Sequence, residues 1–407
     1  MIKSISNKLT QITLLATALY AAGASADDFE APIFSFSGFG TLGVVHSSED
    51  QADFSSSIFK PNGAGYSHAW SFDVDSLIGG QVTANLSPKL SAVLQVIAEQ
   101  NYDNSYRPHV EWANIKYQFT PDFSVRIGRI VMPSFMTSGY RKVGYAMPWV
   151  RPPLEVYGLV PISNNDGLDA SYRLYSGEAT NTIQAIYGKV DMTYDDGNKA
   201  EARQQWGIFN TTEYGPLTLR IGYHQTHLNI KAFHPFFNAF RQFGPEGIAI
   251  AEKYDCNGKL IPFATIGASY DPGQWFVMGE WARSVSHCAI GDSTAWYASG
   301  GYRLGDFTPY LTYSRSEADS NTSDPGLAVP AAAGLNAGLN SILGSIPVQQ
   351  TVSLGVRWDF MRNTTLKLQY DHTDIGAGSP GVLSNIQPGF KPGGRVDLIS
   401  AAMEFVF

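Results

Sequence analysis

Beyond residue 33 the chain keeps returning to a period of two. Leu217, Leu219, Ile221 and Tyr223 fall on one face of their segment, and Thr218, Arg220, Gly222 and His224 on the other. Val352, Leu354, Val356, Trp358 and Phe360 oppose Thr351, Ser353, Gly355, Arg357 and Asp359; Leu366, Leu368 and Tyr370 oppose Thr365, Lys367, Gln369 and Asp371. Neighbouring residues of a strand point to opposite sides, so this alternation predicts strands with one apolar and one polar face. Marking each run predicts sixteen of them: 33–46, 76–87, 90–101, 109–119, 123–133, 166–176, 181–194, 204–215, 216–230, 261–271, 274–288, 292–305, 307–319, 348–361, 364–376 and 395–407.

The connections alternate in length. Tight turns such as Ser87-Pro88-Lys89, Thr120-Pro121-Asp122, Gly215-Pro216 and Asp271-Pro272-Gly273 use the residues that turns require. Between them fall longer segments, including 47–75, 134–165, 231–260 and 320–347. An even strand count with short and long links in turn is the layout of an antiparallel outer-membrane β-barrel. Composition agrees: charged residues are 16%, against about 25% in ordinary globular domains, while aromatics reach 13% and glycines number 40. No apolar run after the first thirty residues is long enough for a membrane helix. The acidic balance (net charge −8, pI near 5.5) argues against a nucleic-acid partner.

The beginning of the chain reads as an export signal. Lys3 and Lys8 precede an apolar run from Leu14 to Gly23 and then Ala24-Ser25-Ala26, which predicts cleavage after residue 26 and a single barrel domain over 27–407. Closure of that barrel requires the last strand to pair with the first, since lipid offers no hydrogen bonds to a sheet edge. Ile399, Ala401, Met403, Phe405 and Phe407 then face lipid, and Ser400 and Glu404 face the lumen.

A signal peptide, sixteen alternating strands and a terminal Phe407 resemble the trimeric Gram-negative porins. The segment Ser124–Phe135, with Gly128-Arg129, resembles the strand that leads into those proteins' long third loop. The resemblance implies an outer-membrane, water-filled channel for small hydrophilic solutes. It also implies a homotrimer bathed in lipid and lipopolysaccharide, and a third loop folded inward as a constriction, with an external lid as the alternative. Phe407 would be read by the barrel-insertion machinery. No cofactor, metal or catalytic set is implied. The acidic Pro-Glu-Phe-Gly-Gly stretch of enteric porins is absent, and Gly139–Gly158 reads GYRKVGYAMPWVRPPLEVYG instead.

That loop carries Arg141, Lys142 and Arg151 against Glu155 alone, and four prolines stiffen it. Parity turns Lys116, Arg126, Arg173, Arg220, Arg303, Arg357 and Lys367 towards the lumen, against Glu99, Asp169, Glu280, Asp359, Asp371 and Glu404. The balance leans to a weak anion preference, because a pore selects by the sign of its lining charge. A channel specific for sugar, carboxylate or phosphate is the rival, and an outer-membrane enzyme or adhesin the rival of another class. Arg129 shares the outward parity of Val125 and Ile127. A charge there suggests a subunit interface with a neighbour's Asp103 or Glu111, unless a bulge at Gly128 turns it inward. Cys256 and Cys288 lie symmetrically about Pro272, so an in-register hairpin would set them opposite each other for a disulfide.

Three weaker signals remain. Gly38–Gly43 fits a nucleotide-loop spacing but lies inside a strand. His224 and His227, three apart on a strand, point to opposite faces. Residues 331–343 have room for two or three helical turns.

Overall fold

The computed structural model describes residues 33–194 and 197–407; the predicted signal at 1–26 lies outside them. Sixteen long strands form one antiparallel sheet that closes on itself. They are β1 (Phe34–Ser47), β2 (Leu77–Ser87), β3 (Leu90–Glu99), β4 (His109–Gln118), β5 (Phe123–Val131), β6 (Asn164–Ser176), β7 (Ala179–Thr193) and β8 (Lys199–Tyr214). The circuit continues through β9 (Leu217–Ile230), β10 (Asn257–Tyr270), β11 (Trp275–Ser284), β12 (Ser293–Tyr302), β13 (Phe307–Ala318), β14 (Gln349–Met361), β15 (Thr364–Ile375) and β16 (Gly394–Val406). Each strand pairs with its sequence neighbours, and β1 closes the ring. Its first half pairs with β2, from Phe34↔Ala84 to Thr41↔Leu77, and its second half with β16, from Phe39↔Val406 to Ser47↔Leu398. That offset is the stagger a tilted, closed sheet requires.

The outward parity is apolar and uncovered: Leu42, Ile127, Ile221 and Leu354 are each more than half exposed. Apolar surface of this extent around a whole sheet suits lipid rather than water. No helix among the described residues is long and apolar enough to cross a membrane. The Gly38–Gly43 glycines have a packing reason. A Cβ on Gly40 would come 2.5 Å from the Phe405 ring, and one on Gly38 2.2 Å from the Phe407 ring. At the closing seam two outward aromatic rings therefore lie flat against bare backbone. The Phe407 amide and carbonyl both bond to Gly38, at 3.0 and 2.8 Å.

Two departures from the sequence expectation lie above the barrel. The segment between β9 and β10 forms helices α1 (His234–Arg241) and α2 (Gly244–Tyr254), while the helical turns expected at 331–343 are present as α3 (Ala333–Gly344). Phe237, Phe240, Ala251, Leu339 and Leu343 of these helices share one buried apolar cluster, so two loops form a single cap. The second departure is β11, which stops at Ser284 rather than 288. Asp292 accepts the backbone amide of Ser286, and His287 takes a left-handed φ of 49°, which turns the chain out of the ladder.

The hairpin register also differs from the symmetric one. Pairing runs from Phe263↔Ser284 to Tyr270↔Val277, which centres the hairpin between Gly273 and Gln274 instead of on Pro272. Cys256 and Cys288 are therefore not cross-strand neighbours. Their sulfurs are nonetheless bonded, with Cα atoms 5.2 Å apart. The loop end brings them together, since the Ala289 amide donates to the Tyr254 carbonyl at 2.9 Å.

Candidate pore and its inner loop

The segment between β5 and β6 lies within the barrel, fastened by its side chains to inward-facing residues of the far wall. Trp149 Nε1 donates to Ser299 Oγ (2.9 Å) and Thr312 Oγ1 (3.0 Å). The Val150 amide donates to Gln369 Oε1 at 3.1 Å. Arg151 forks onto Asp75 (2.9 and 2.6 Å) and also reaches Asp371 (3.3 Å) and Ser400 (2.7 Å). Glu155 accepts from Ser314 (2.8 Å), Gln349 (2.6 Å) and Thr351. Tyr157 donates to Glu280 Oε1 at 2.6 Å, and the Met136 amide to Glu280 Oε2 at 2.8 Å. The prolines at 148, 152, 153 and 161 suit this role, since a preset φ lowers the entropy lost when the loop is fixed.

These contacts correct four sequence assignments. Arg151 and Glu155 are 7% and 5% exposed: they moor the loop and do not line an open lumen. Lys367 is wholly buried, paired with Glu404 at 2.6 Å and donating to the carbonyls of Gly144 (2.8 Å) and Trp149 (2.7 Å). Arg357 holds Asp359 and donates to the carbonyls of Tyr145 (2.6 Å) and Met147 (3.2 Å). Arg357 and Lys367 point inward, as parity requires, but what they meet there is the loop, while Arg151 and Glu155 reach from the loop to the wall. Arg129 has a partner that the sequence did not offer. It keeps outward parity in an unbroken register, yet forks onto Asp166 of the adjacent strand at 2.7 and 2.9 Å. The charge is answered within the chain, so it no longer argues for a partner's acid.

The open part of the lumen lies on the opposite side, along β2–β7. A cavity of about 290 Å³ on the loop-bearing side is lined by Lys60, Glu99, His109, Glu111, Lys142 and Asp191, a mixture of both signs. Lys142 and Glu99 pair across it. Arg141 lies beside this pair over the Tyr157 ring, its guanidinium donating to the carbonyls of Val160 (3.0 Å) and Tyr157 (3.1 Å). Lys60 was not singled out from the sequence. It sits in the β1–β2 loop, 6% exposed, donating to the carbonyls of Asp73 (3.1 Å) and Val74 (2.7 Å), and burial holds its ammonium below the usual lysine range.

Beyond the loop, a second cavity of about 390 Å³ is lined by Lys116, Arg126 and Arg220, with no carboxylate facing it. Asp169 is 1% exposed, buried beneath Arg126, which holds it at 2.8 Å. Arg220 donates to Thr211 (2.6 Å) and to the Pro133 carbonyl. Arg173, nearer the short-turn end on the same wall, is exposed, and no side-chain partner approaches it among the described residues. Trp112 also lines this cavity. Its even spacing with Asn114 and Lys116 was the signal that could have found it. His224 points inward, 3.3 Å from Ser134 Oγ, with His227 on the other face.

A closed sheet that is apolar outside, polar within and narrowed by a moored loop is the architecture of an outer-membrane channel. The chain belongs to the Gram-negative porin family, whose model matches residues 13–378. No curated protein matches the sequence. Among solved structures, it is similar to OmpF of Salmonella typhi in complex with daunomycin, at 12% identity and TM-score 0.57, over 92% of this chain and 97% of that one. It is similar to the outer-membrane channel DcaP of Acinetobacter baumannii at 10% identity and TM-score 0.56, over 92% and 97%. A loop-deleted OmpT, an outer-membrane protein of Vibrio cholerae, aligns at 11% identity and TM-score 0.54, over 92% and 100%. At such identities these likenesses speak to the fold alone.

Proposed function

We propose that the protein is a passive channel for small hydrophilic solutes, with a weak preference for anions. The observation that carries the sign is the cavity at Lys116, Arg126 and Arg220. Its bases face the water path, with Asp169 buried beneath Arg126, while Glu280, Asp371 and Glu404 on the wall are spent on buried partners. Solute charge is felt most strongly where a low-dielectric wall crowds it. The chain's overall acidity is no obstacle, because salt screens charges that lie farther away than about 8–10 Å. Export through cleavage after Ala26, assembly as a homotrimer, contact with lipopolysaccharide and use of Phe407 as the insertion signal complete the proposal.

The test is planar-bilayer recording of purified protein in a potassium chloride gradient. The reversal potential should carry the sign of chloride preference. Joint Lys116→Gln, Arg126→Gln and Arg220→Gln changes should move it towards potassium more than joint Arg141→Gln and Lys142→Gln. A potassium-selective wild-type channel would refute the sign, and absence of conductance would refute the channel.

A further inference from the structure

The basic cavity differs from a plain ring of charge in having apolar and aromatic side chains in its lining. Among its lining residues, beside the three bases, are Val93, Trp112, Val131 and Met136. Lys116 and Arg126 are direct register partners on β4 and β5, an arrangement that repels. Arg126 is satisfied by Asp169, but neither Lys116 nor Arg220 has a carboxylate within ion-pair distance among the described residues. The Trp112 Nε1–H and Arg220 Nε–H find no acceptor either. A strand pair that sets two cations side by side, one of them without a carboxylate and next to an aromatic face, suits an anion. Mobile chloride would answer the charge but not the apolar wall.

We infer that this cavity is a transit site for monocarboxylates with an apolar body, the carboxylate meeting Lys116 and Arg220 and the body lying against Trp112. The inference rests on the channel reading and names its solute class. The cavity, at about 390 Å³, has room for a solute of about ten heavy atoms, taking each as roughly the share of one water in the liquid. Charge-assisted hydrogen bonds supply the first half of the recognition and burial of apolar surface the second. Both halves are modest, which suits a site that a solute must also leave.

The experiment uses the purified full-length protein in planar bilayers at neutral pH, with chloride current as the readout and three probes: benzoate, acetate and benzamide. Benzoate is expected to reduce the current at concentrations about tenfold below acetate, which lacks the apolar body, and about tenfold below benzamide, which lacks the charge. Trp112→Ala should narrow the benzoate-to-acetate ratio. Lys116→Gln should weaken both carboxylates and leave their ratio standing. Equal block by benzoate and acetate, or by benzoate and benzamide, in the wild-type channel would overturn the inference while the channel stands. A wild-type protein without chloride current would take the underlying reading with it.

Discussion

Removing the guanidinium of Arg151 should loosen the inner loop without opening the barrel. Arg151 is 7% exposed, and the two carboxylates it serves, Asp75 and Asp371, are 5% and 6% exposed. Arg151→Met leaves both stranded away from water. Deleting one partner of a buried ion pair costs about 3–5 kcal/mol, a factor of roughly 10² to 5 × 10³ in the equilibrium between moored and released loop. The remaining moorings oppose release. Trp149 makes two neutral hydrogen bonds and Val150 one, each worth about 1 kcal/mol, and those to the Glu155 carboxylate are worth more. Tyr157 on Glu280 and the Gly144 and Tyr145 carbonyls on Lys367 and Arg357 hold the loop on either side, so the stretch around Arg151 should detach transiently while the rest stays moored. In single-channel records the variant should flicker to a larger conductance that the wild type does not visit. The triple variant Arg151→Met, Asp75→Asn, Asp371→Asn should flicker less than the single one, since it strands no charge. A quiet Arg151→Met channel of wild-type conductance would refute the mooring, and a triple variant noisier than the single would refute the stranded-charge account.

Serine at both Cys256 and Cys288 should free the cap. Closing a span of 32 residues is worth about 3–4 kcal/mol in the chain-entropy model, read as faster proteolysis within 231–256 and a lower thermal midpoint. Acid should loosen the same cap from another side. Burial pushes the Asp324 carboxyl up, but hydrogen bonds from Tyr254, the Gly326 amide and Lys253 outweigh it and hold it below the ordinary carboxylate range. A lowered folded value means that the stabilisation is present at neutral pH and is lost as pH falls through that value, so amide exchange in α2 and α3 should accelerate in strong acid and not between pH 6 and 8. Gly40→Leu places a Cβ 2.5 Å from the Phe405 ring and should cost about 1–3 kcal/mol at the closing seam, seen as a lower unfolding temperature in detergent.

The barrel was legible because strand parity is a local property. Leu219 and Ile221 declare their face without knowledge of the rest of the chain. What an inward residue meets is not local. Lys116 and Lys367 have the same parity and similar neighbours in sequence, yet one borders a cavity and the other is sealed under the carbonyls of Gly144 and Trp149. Only the path of a loop more than two hundred residues away in sequence separates them. The helices at 234–254 were hidden for a different reason. Phe233, Phe236, Phe237, Phe240 and Phe243 follow helical spacing, but over two turns inside a chain dominated by period two. Arg129 was placed on its correct face, while its partner Asp166 lies across a loop whose length hid the pairing.

The inner loop binds one side of the barrel and leaves the other bare, so the wall divides into two trades. From β11 to β16 the inward residues act as a dock: Ser299, Thr312, Gln369, Lys367 and Glu404 each hold a specific atom of the loop or its partner. From β2 to β7 they border the water path and hold little of the loop. Substitutions can accumulate on that bare wall, changing which solutes pass, without disturbing how the passage is built. A change of selectivity and a loss of structure are thus drawn from different strands, which leaves one scaffold free to serve different diets.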